Sequence, residues 1–369
     1  MKDCETKTGL RVLPSVQSVF QSAPDVWYID LSKRKTSILL EVLRLRPEKT
    51  PVKLTGCPDE ESEVRSFLQC LPHISQLSFS EGVKRGVEFC GRLFCAAAER
   101  EQQTGENTLQ LLSSLCTYET FPISGRYIHD DTKKHQCLFL LDLYSHMKDC
   151  ETKTGLRVLP SVQSVFQSAP DVWYIDLSKR KTSILLEVLR LRPEKTPVKL
   201  TGCPDEESEV RSFLQCLPHI SQLSFRMAHQ DPVQEDQEPD HGTLERRKKK
   251  LLLDLCLQAA LDKEESFHHV VSQLVSLFSV DKHLHNFFVD LYQHVKSEGC
   301  LSVIPKLGQL FESAAGVWSI NLSEINTSML LEVLRLRSEK TPVKLTGCFD
   351  EESEVRTFLQ CLPHISQLR

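Results

Sequence analysis

The sequence predicts an α/β fold, a repeat solenoid of strand-helix units with α-helical inserts. Residues 1–79 recur letter for letter as 147–225, and a diverged third copy reaches Arg369. Each copy holds three short apolar-x-apolar segments, and the residues between them change to a helical period. Units of this size cannot bury their apolar faces alone and stack on neighbours to do so. The expectation therefore moves from catalysis towards binding.

In the first copy the strand segments carry Ile29 and Leu31, Val52 and Leu54, and Leu77 and Phe79, spaced 23 and then 25 residues apart. Before the first, Val16, Val19, Phe20 and Ala23 lie at i, i+3, i+4, i+7, and Val64, Phe67, Leu68 and Leu71 do the same before the third. The middle helix, TSILLEVLRLR, is more heavily apolar. Pro24 and Pro72 end the helices they follow, because proline disfavours an α conformation in the residue before it. The acidic run DEESE at 59–63 suits a helix N-terminus.

The segments 81–146 and 227–294 read as helical. Val83, Val87, Cys90, Phe94 and Ala97 share one face of the first, and Phe267, Val270, Val271, Leu274, Val275 and Phe278 one face of the second. CLFLLDLYSHM and HNFFVDLYQHV are the same helix in two copies. The division expected is repeat clusters at 1–80, 147–226 and 295–369, a helical segment at 81–146, and an acidic loop plus helical segment at 227–294. The proline-rich acidic stretch 229–242 is the best boundary candidate. Met1 aligns with Met147 inside a helix, and the third copy stops in a strand. The first cluster is therefore expected to be truncated at its N-terminus and the third at its C-terminus, with uncapped ends open to self-association.

A net charge of −5 argues against a dedicated nucleic-acid surface. Fourteen cysteines behind an N-terminus with no apolar leader read as buried or free thiols in a reducing compartment, so the expected location is cytoplasmic. The apolar run CLFLLDLY is broken by Asp142 and is far shorter than the roughly 20 residues of a membrane span.

No catalytic, metal or cofactor site is expected. Ser32–Lys35 and Lys7–Gly9 superficially match penicillin-binding motifs in the wrong order, and Lys35 becomes Asn326 in the third copy, as an exposed turn allows. Cys57, Cys70 and His73 recur in every copy, but Cys70 sits among helix core residues and reads as a buried thiol, not a zinc ligand. Cys90 and Cys95, five apart on a helix, face different ways. Asp142 and His146, like Asp290 and His294, stand one helical turn apart as surface pairs with no third member for catalysis. His268 and His269 face solvent, and the basic run Arg246–Lys250 reads as a solvated first helical turn.

Three L-x-L strands per copy, each followed by a helix, and VKLTGC with Cys57, Cys203 or Cys348 at its turn, resemble leucine-rich repeats of the ribonuclease-inhibitor-like kind. The triplets at 12–80, 158–226 and 303–368 look like the repeat region of vertebrate NOD-like receptors. No Walker A loop accompanies them. The resemblance implies a parallel sheet with one face open to a protein partner, a non-enzymatic recognition role, and a place in an intracellular innate immune receptor. On that face it puts Tyr28, Asp30, Lys53, Thr55, Gln76 and Ser78, with equivalents in the other copies. The partner-binding candidates are Tyr28, Asp30, Lys33 and Lys53, then Tyr174, Asp176, Lys179 and Lys199, then Ser319, Asn321, Glu324 and Lys344. From Trp27–Leu77 to Trp318–Leu368 there are nine differences in 51 positions, five of them between Tyr28 and Lys35. The alternative is a purely α-helical structural scaffold.

Overall fold

Both sequence periods take shape, as nine strands and fourteen α-helices among the described residues. The computed structural model describes residues 25–33, 35–79, 83–117, 120–121, 129–167, 171–179, 181–204, 206–225, 241–262, 267–278, 284–314, 316–349 and 351–369. The expected helix through Val16 and Ala23, the Lys7–Gly9 motif, Arg34 and nearly all of the acidic stretch 229–242 lie outside them. The strands correct the purely helical alternative: the apolar-x-apolar segments pair as parallel sheets and do not merely connect helices. The chain divides into two units, residues 1–175 with 184–198, and residues 176–183 with 199–369.

In the first unit β1 (Trp27–Asp30), β2 (Thr50–Gly56) and β3 (Ile74–Phe79) form a parallel sheet in chain order. Ile29 stands opposite Leu54 and Leu54 opposite Phe79, so the predicted apolar residues make one row across the sheet. The crossover helices α1 (Thr36–Arg44) and α2 (Glu61–Phe67) pack against each other. Leu39, Leu40 and Leu43 of α1 and Val64 and Phe67 of α2 are buried, as are Val52, Leu54 and Leu77 of the sheet. Pro72 falls in a 3-10 turn, Leu68–His73, that leads from α2 into β3.

Two crossover helices do not complete this core. The hairpin α3 (Val83–Thr104) and α4 (Thr108–Leu115) closes it, with α3 against α2 and α4 against β3. Phe89 of α3 meets Phe67 at 6.2 Å and Phe79 at 6.3 Å, edge-on to both. Burying such a ring contributes about 2–3 kcal/mol, and each edge contact adds about 0.5–1.5. Arg65 reaches Glu99 at 2.6 Å on the rim of the same contact.

Helix α5 (His129–Thr154) packs on α3. It runs unbroken through 146 and 147, so the junction of the duplication is not a structural boundary. A Cβ on Gly91 of α3 would stand 2.0 Å from the His146 ring, and glycine is what lets the two helices approach there. Cys95 and Cys150 are joined by a disulfide between these helices, which corrects the expectation of free thiols throughout. Their meeting depends on two helices packing across 55 residues of chain, and the spacing of cysteines within one helix does not reveal it. After α5 come α6 (Leu159–Gln167), β4 (Trp173–Asp176) and α7 (Thr182–Arg190). Tyr144 and Lys148 of α5 both hold Glu187 of α7.

The second and third copies repeat this plan of a three-stranded parallel sheet in chain order. The second sheet has the order β4, β5 (Thr196–Gly202), β6 (Ile220–Phe225), with α8 (Glu207–Cys216) before its last strand. The hairpin α9 (His241–Leu261) and α10 (Phe267–Leu277) covers α8 and β6. Arg211 reaches Gln258 at 3.3 Å, Gln273 donates to the Leu217 carbonyl at 2.9 Å, and Phe225 meets Phe278 at 5.0 Å. Then follow α11 (Leu284–Ser297), α12 (Ile304–Ser313), β7 (Trp318–Asn321), α13 (Thr327–Arg335), β8 (Thr341–Thr346), α14 (Glu352–Leu359) and β9 (Ile365–Leu368). Tyr292 and Lys296 of α11 both hold Glu332 of α13 at 2.8 Å, as Tyr144 and Lys148 hold Glu187. The long helices are thus integral to the repeat clusters that follow them.

The last glutamate of the DEESE run has a specific task in every copy. Glu63 accepts the Thr36 N–H at 2.8 Å, Glu209 that of Thr182 at 3.1 Å and Glu354 that of Thr327 at 3.2 Å. Each satisfies an orphan donor at the start of the preceding helix. The Thr36 hydroxyl and N–H hold the Glu63 carboxyl below its usual range. A lowered folded pKa means stability present above the unfolded value, about 4.3, and lost as pH falls through the folded one. Glu63→Ala is expected to cost about 1 kcal/mol in urea unfolding at pH 7. The difference from wild type should shrink as the pH drops below that range, and an unchanged gap would refute the cap.

Candidate interaction surface

On the side of the first sheet away from its helices, Tyr28, Lys53 and Ser78 form one row across the three strands. Thr55 and Gln76 are exposed beside them. Lys53 Nζ lies 5.7 Å from the Tyr28 ring centroid, a cation–π contact worth about 0.5–1 kcal/mol at an exposed site. Tyr28 is 66% exposed. The row offers an aromatic face, a cation and a hydroxyl on a rigid backbone.

Asp30 does not extend this row. The register shifts between Ile29 and Asp30, which pairs with Gly56 in place of Thr55. Its carboxylate folds back to accept from Ser32 N–H at 3.1 Å and Ser32 Oγ at 2.5 Å, and pairs with Lys33 at 2.8 Å. Lys33 foremost, then Ser32, lowers the Asp30 carboxyl, and Asp30 in turn raises the Lys33 ammonium. A Cβ on Gly56 would stand 1.9 Å from Asp30 Oδ1, so the turn demands glycine on the next strand. The same arrangement joins Asp176, Ser178 and Gly202, and Asn321, Ser323 and Gly347.

The outward reading is corrected at several other candidates. Tyr174 is 5% exposed although its local sequence is that of Tyr28. Helix α5 lies along its strand, and Cys137 Sγ accepts the Tyr174 N–H at 3.4 Å. Asp176 is also buried, folded on Ser178 over Gly202. Lys199 is half-buried to the same degree as Lys53, and the side chain of Lys179 lies outside the described residues, as does that of Thr201.

In the third copy, helix α11 takes the place of α5. His285 Nδ1 accepts the Ser319 N–H at 3.2 Å, where Cys137 serves Tyr174. Asn286 acts as a short false strand: Oδ1 accepts the Asn321 N–H at 3.0 Å, and Nδ2 donates to the Asn321 carbonyl at 3.3 Å and to Glu324 at 3.2 Å. Ser319 and Asn321 are half-buried with their backbone bonded to α11, and the exposed Glu324 accepts from Asn286. Lys344, beside Ser319 on β8, remains exposed. His285, Asn286 and Cys137 were not singled out in the sequence, where their signal was a polar start to two otherwise apolar aligned helices.

The other candidate groups are engaged in packing. Asp290 pairs with Lys249 of α9 at 2.6 Å, and burial raises its carboxyl. His294 Nε2 stands 2.8 Å from Asp254 Oδ1, off the line of a hydrogen bond. Neither residue is turned to the other as a dyad. Lys248 lies over the Phe225 ring at 5.7 Å, so two cations of the run Arg246–Lys250 are held by the fold. Burial pushes the Cys70 thiol up to about 12 and that of Cys361 up to about 11. Among the described residues no group of three or more His, Cys, Asp or Glu is placed to hold a metal ion, and no helix is long and apolar enough to cross a membrane.

No protein-family model, curated protein or solved structure matches this chain.

The neutral form of His285 is favoured. Burial first, then the Arg337 charge, lowers its pKa, and the ring packs on Trp318 at 5.1 Å while Arg337 lies over the same indole at 5.0 Å. With its folded pKa below the unfolded value of about 6.5, it contributes stability at higher pH that is lost as pH falls below about 6.5. His285→Cys, the residue of the second copy, should flatten the decline in melting temperature between about pH 7.5 and 5.5. An unaltered slope would exclude His285 as its source.

Gly347 has φ +73°, and a Cβ there would stand 2.3 Å from Asn321 Oδ1. Gly347→Ala is expected to cost about 1–2 kcal/mol by chemical unfolding. Adding Asn321→Ala, which clears the steric conflict, should recover part of that loss.

Proposed function

We propose that this chain is a non-enzymatic protein-recognition module, a leucine-rich-repeat-like solenoid, and that it forms the sensing portion of a cytoplasmic innate immune receptor. The observation that carries the reading is the open row Tyr28–Lys53–Ser78, whose backbone is fixed by an apolar core on the opposite side of the same sheet. Parallel strands in chain order with neighbouring crossover helices suit a leucine-rich-repeat solenoid, because each step adds a strand beside the last and leaves one sheet face uncovered. A ring and a cation held without loss of backbone order suit a protein ligand, since aromatic anchors supply much contact area at little entropic cost.

Lys33 and Lys344 border these faces and would steer an acidic partner. The partner is expected to be a protein. Nucleic acid and membrane lipid are not proposed, and self-association through the end clusters is the second protein contact to examine.

The test compares proteins cross-linked to the wild-type chain with those cross-linked to a Tyr28→Ala, Lys53→Glu variant. Both side chains leave the core intact, so the variant should keep its circular dichroism and melting temperature. A specific protein captured by wild type should drop about tenfold or more with the variant. Identical capture by both would overturn the assignment of this face.

A further inference from the structure

Helices α3 and α5 approach closely at Gly91, where the absence of a Cβ leaves room for the His146 ring. One turn further along each helix stand Cys95 and Cys150, whose sulfurs are bonded. The disulfide thus lies beside a helix contact that packing already provides. The second unit shows that such a pairing needs no covalent link. There α9 and α11 are joined by Lys249 with Asp290 at 2.6 Å and by Asp254 beside His294 at 2.8 Å. The residue of α11 that follows His294 as Cys150 follows His146 is Glu298, which is exposed.

The two bonded cysteines also differ from the other described cysteines of the first unit. Cys57, Cys70, Cys90, Cys116 and Cys137 are buried, and burial pushes the thiols of Cys70, Cys116 and Cys137 up to about 12, which keeps them out of exchange chemistry. Cys95 and Cys150 are only half-buried. Cys150 Sγ lies 3.9 Å from the hydroxyl of Thr154, an exposed residue, so this side of the bond meets water. A disulfide that solvent reaches, at a contact held by packing, belongs to the labile class and not to the structural one.

We propose that Cys95 and Cys150 are a reversible thiol–disulfide couple that exchanges with glutathione and, when oxidised, tethers α3 to α5. Closing consumes one molecule of glutathione disulfide. One cysteine thiolate attacks it, forming a mixed disulfide and expelling a glutathione thiolate; the other cysteine thiolate attacks the protein sulfur of that bond and expels the second. The two protons of the protein thiols pass through water to the two glutathione thiolates, and the chain gives up two electrons to the disulfide it consumes. The tether reaches beyond one helix pair. Helix α3 covers the first sheet through Phe89, while α5 accepts the Tyr174 N–H with Cys137 and holds Glu187 with Lys148. Oxidation therefore couples the cover of the first sheet to the helix that supports Tyr174 and Glu187. The couple does not rest on the recognition reading, and either can fail alone.

The test uses the full chain carrying Cys4→Ser, because Cys4 and Cys150 lie in identical tryptic peptides, DCETK. The chain is equilibrated without oxygen in mixtures of reduced glutathione and glutathione disulfide, quenched in acid and alkylated, and the Cys95–Cys150 linkage is counted by mass spectrometry. The pair should be closed in excess glutathione disulfide and open in roughly a hundredfold excess of glutathione, with circular dichroism showing a folded chain in both. Amide exchange in α3 and α5 should be about tenfold slower in the closed form, and Cys150→Ser should abolish that difference. A linkage that survives excess glutathione in the folded chain would overturn the proposal by making the bond structural. Cysteines that take up glutathione singly and never close on each other would overturn it too, as would equal amide exchange in the two forms.

Discussion

A three-stranded parallel sheet with two crossover helices cannot cover its own core, and the rest of the chain is arranged around that deficit. Phe67 and Phe79 both pack on Phe89, which comes from a helix outside the strand-helix steps. Parallel sheets depend on helices to exclude water from their apolar side, and each sheet here has room for two such helices within its own steps. The remaining cover comes from α3 with α4, and from α9 with α10. What looks like insertion between repeats is therefore the outer part of each repeat's core.

The same economy governs the sheet edges. An edge strand presents unpaired N–H and C=O groups, and these chains need a partner for them. Helix α11 meets the need with side chains: Asn286 reproduces both backbone bonds of a neighbouring strand at Asn321, and His285 accepts one more from Ser319. Helix α5 does it more weakly through Cys137, since sulfur is a poorer acceptor. A helix dipole or propensity argument would not foresee this, because the bonds run from helix side chain to strand backbone.

The strands and most helices were legible because their apolar residues keep periods of two and 3.6, and Ile29, Leu54 and Phe79 do fall in one row, the last two buried and Ile29 half-buried. Alternation failed where the backbone leaves the ladder. Asp30 has the parity of an outward residue, but the register shift and the hydrogen bonds of Ser32 turn its carboxylate onto Gly56. Tyr28 and Tyr174 mark a harder limit. Their surroundings in sequence are identical for dozens of residues, yet one is 66% exposed and the other 5%. Cys137 of α5 bonds the Tyr174 backbone, and that is a tertiary fact absent from the strand itself. The Cys95–Cys150 bond was hidden for the same reason.

This bears on why the third copy has diverged where it has. Changes gathered between Tyr28 and Lys35 suggest a surface adapting to a ligand. In the third copy the backbone of Ser319 and Asn321 and the carboxylate of Glu324 bond His285 and Asn286, which replace Cys137 and Leu138 of the second. An apolar leucine cannot bond a strand edge, whereas an asparagine can; once it does, a nearby carboxylate such as Glu324 gains an amide donor that Lys33 could not use. Among these changes Glu324 is the one whose side chain bonds the new helix residue. Part of the divergence thus serves the fold itself: Glu324 accepts from Asn286, and Asn326 caps α13 by accepting from the N–H groups of Ser328 and Met329.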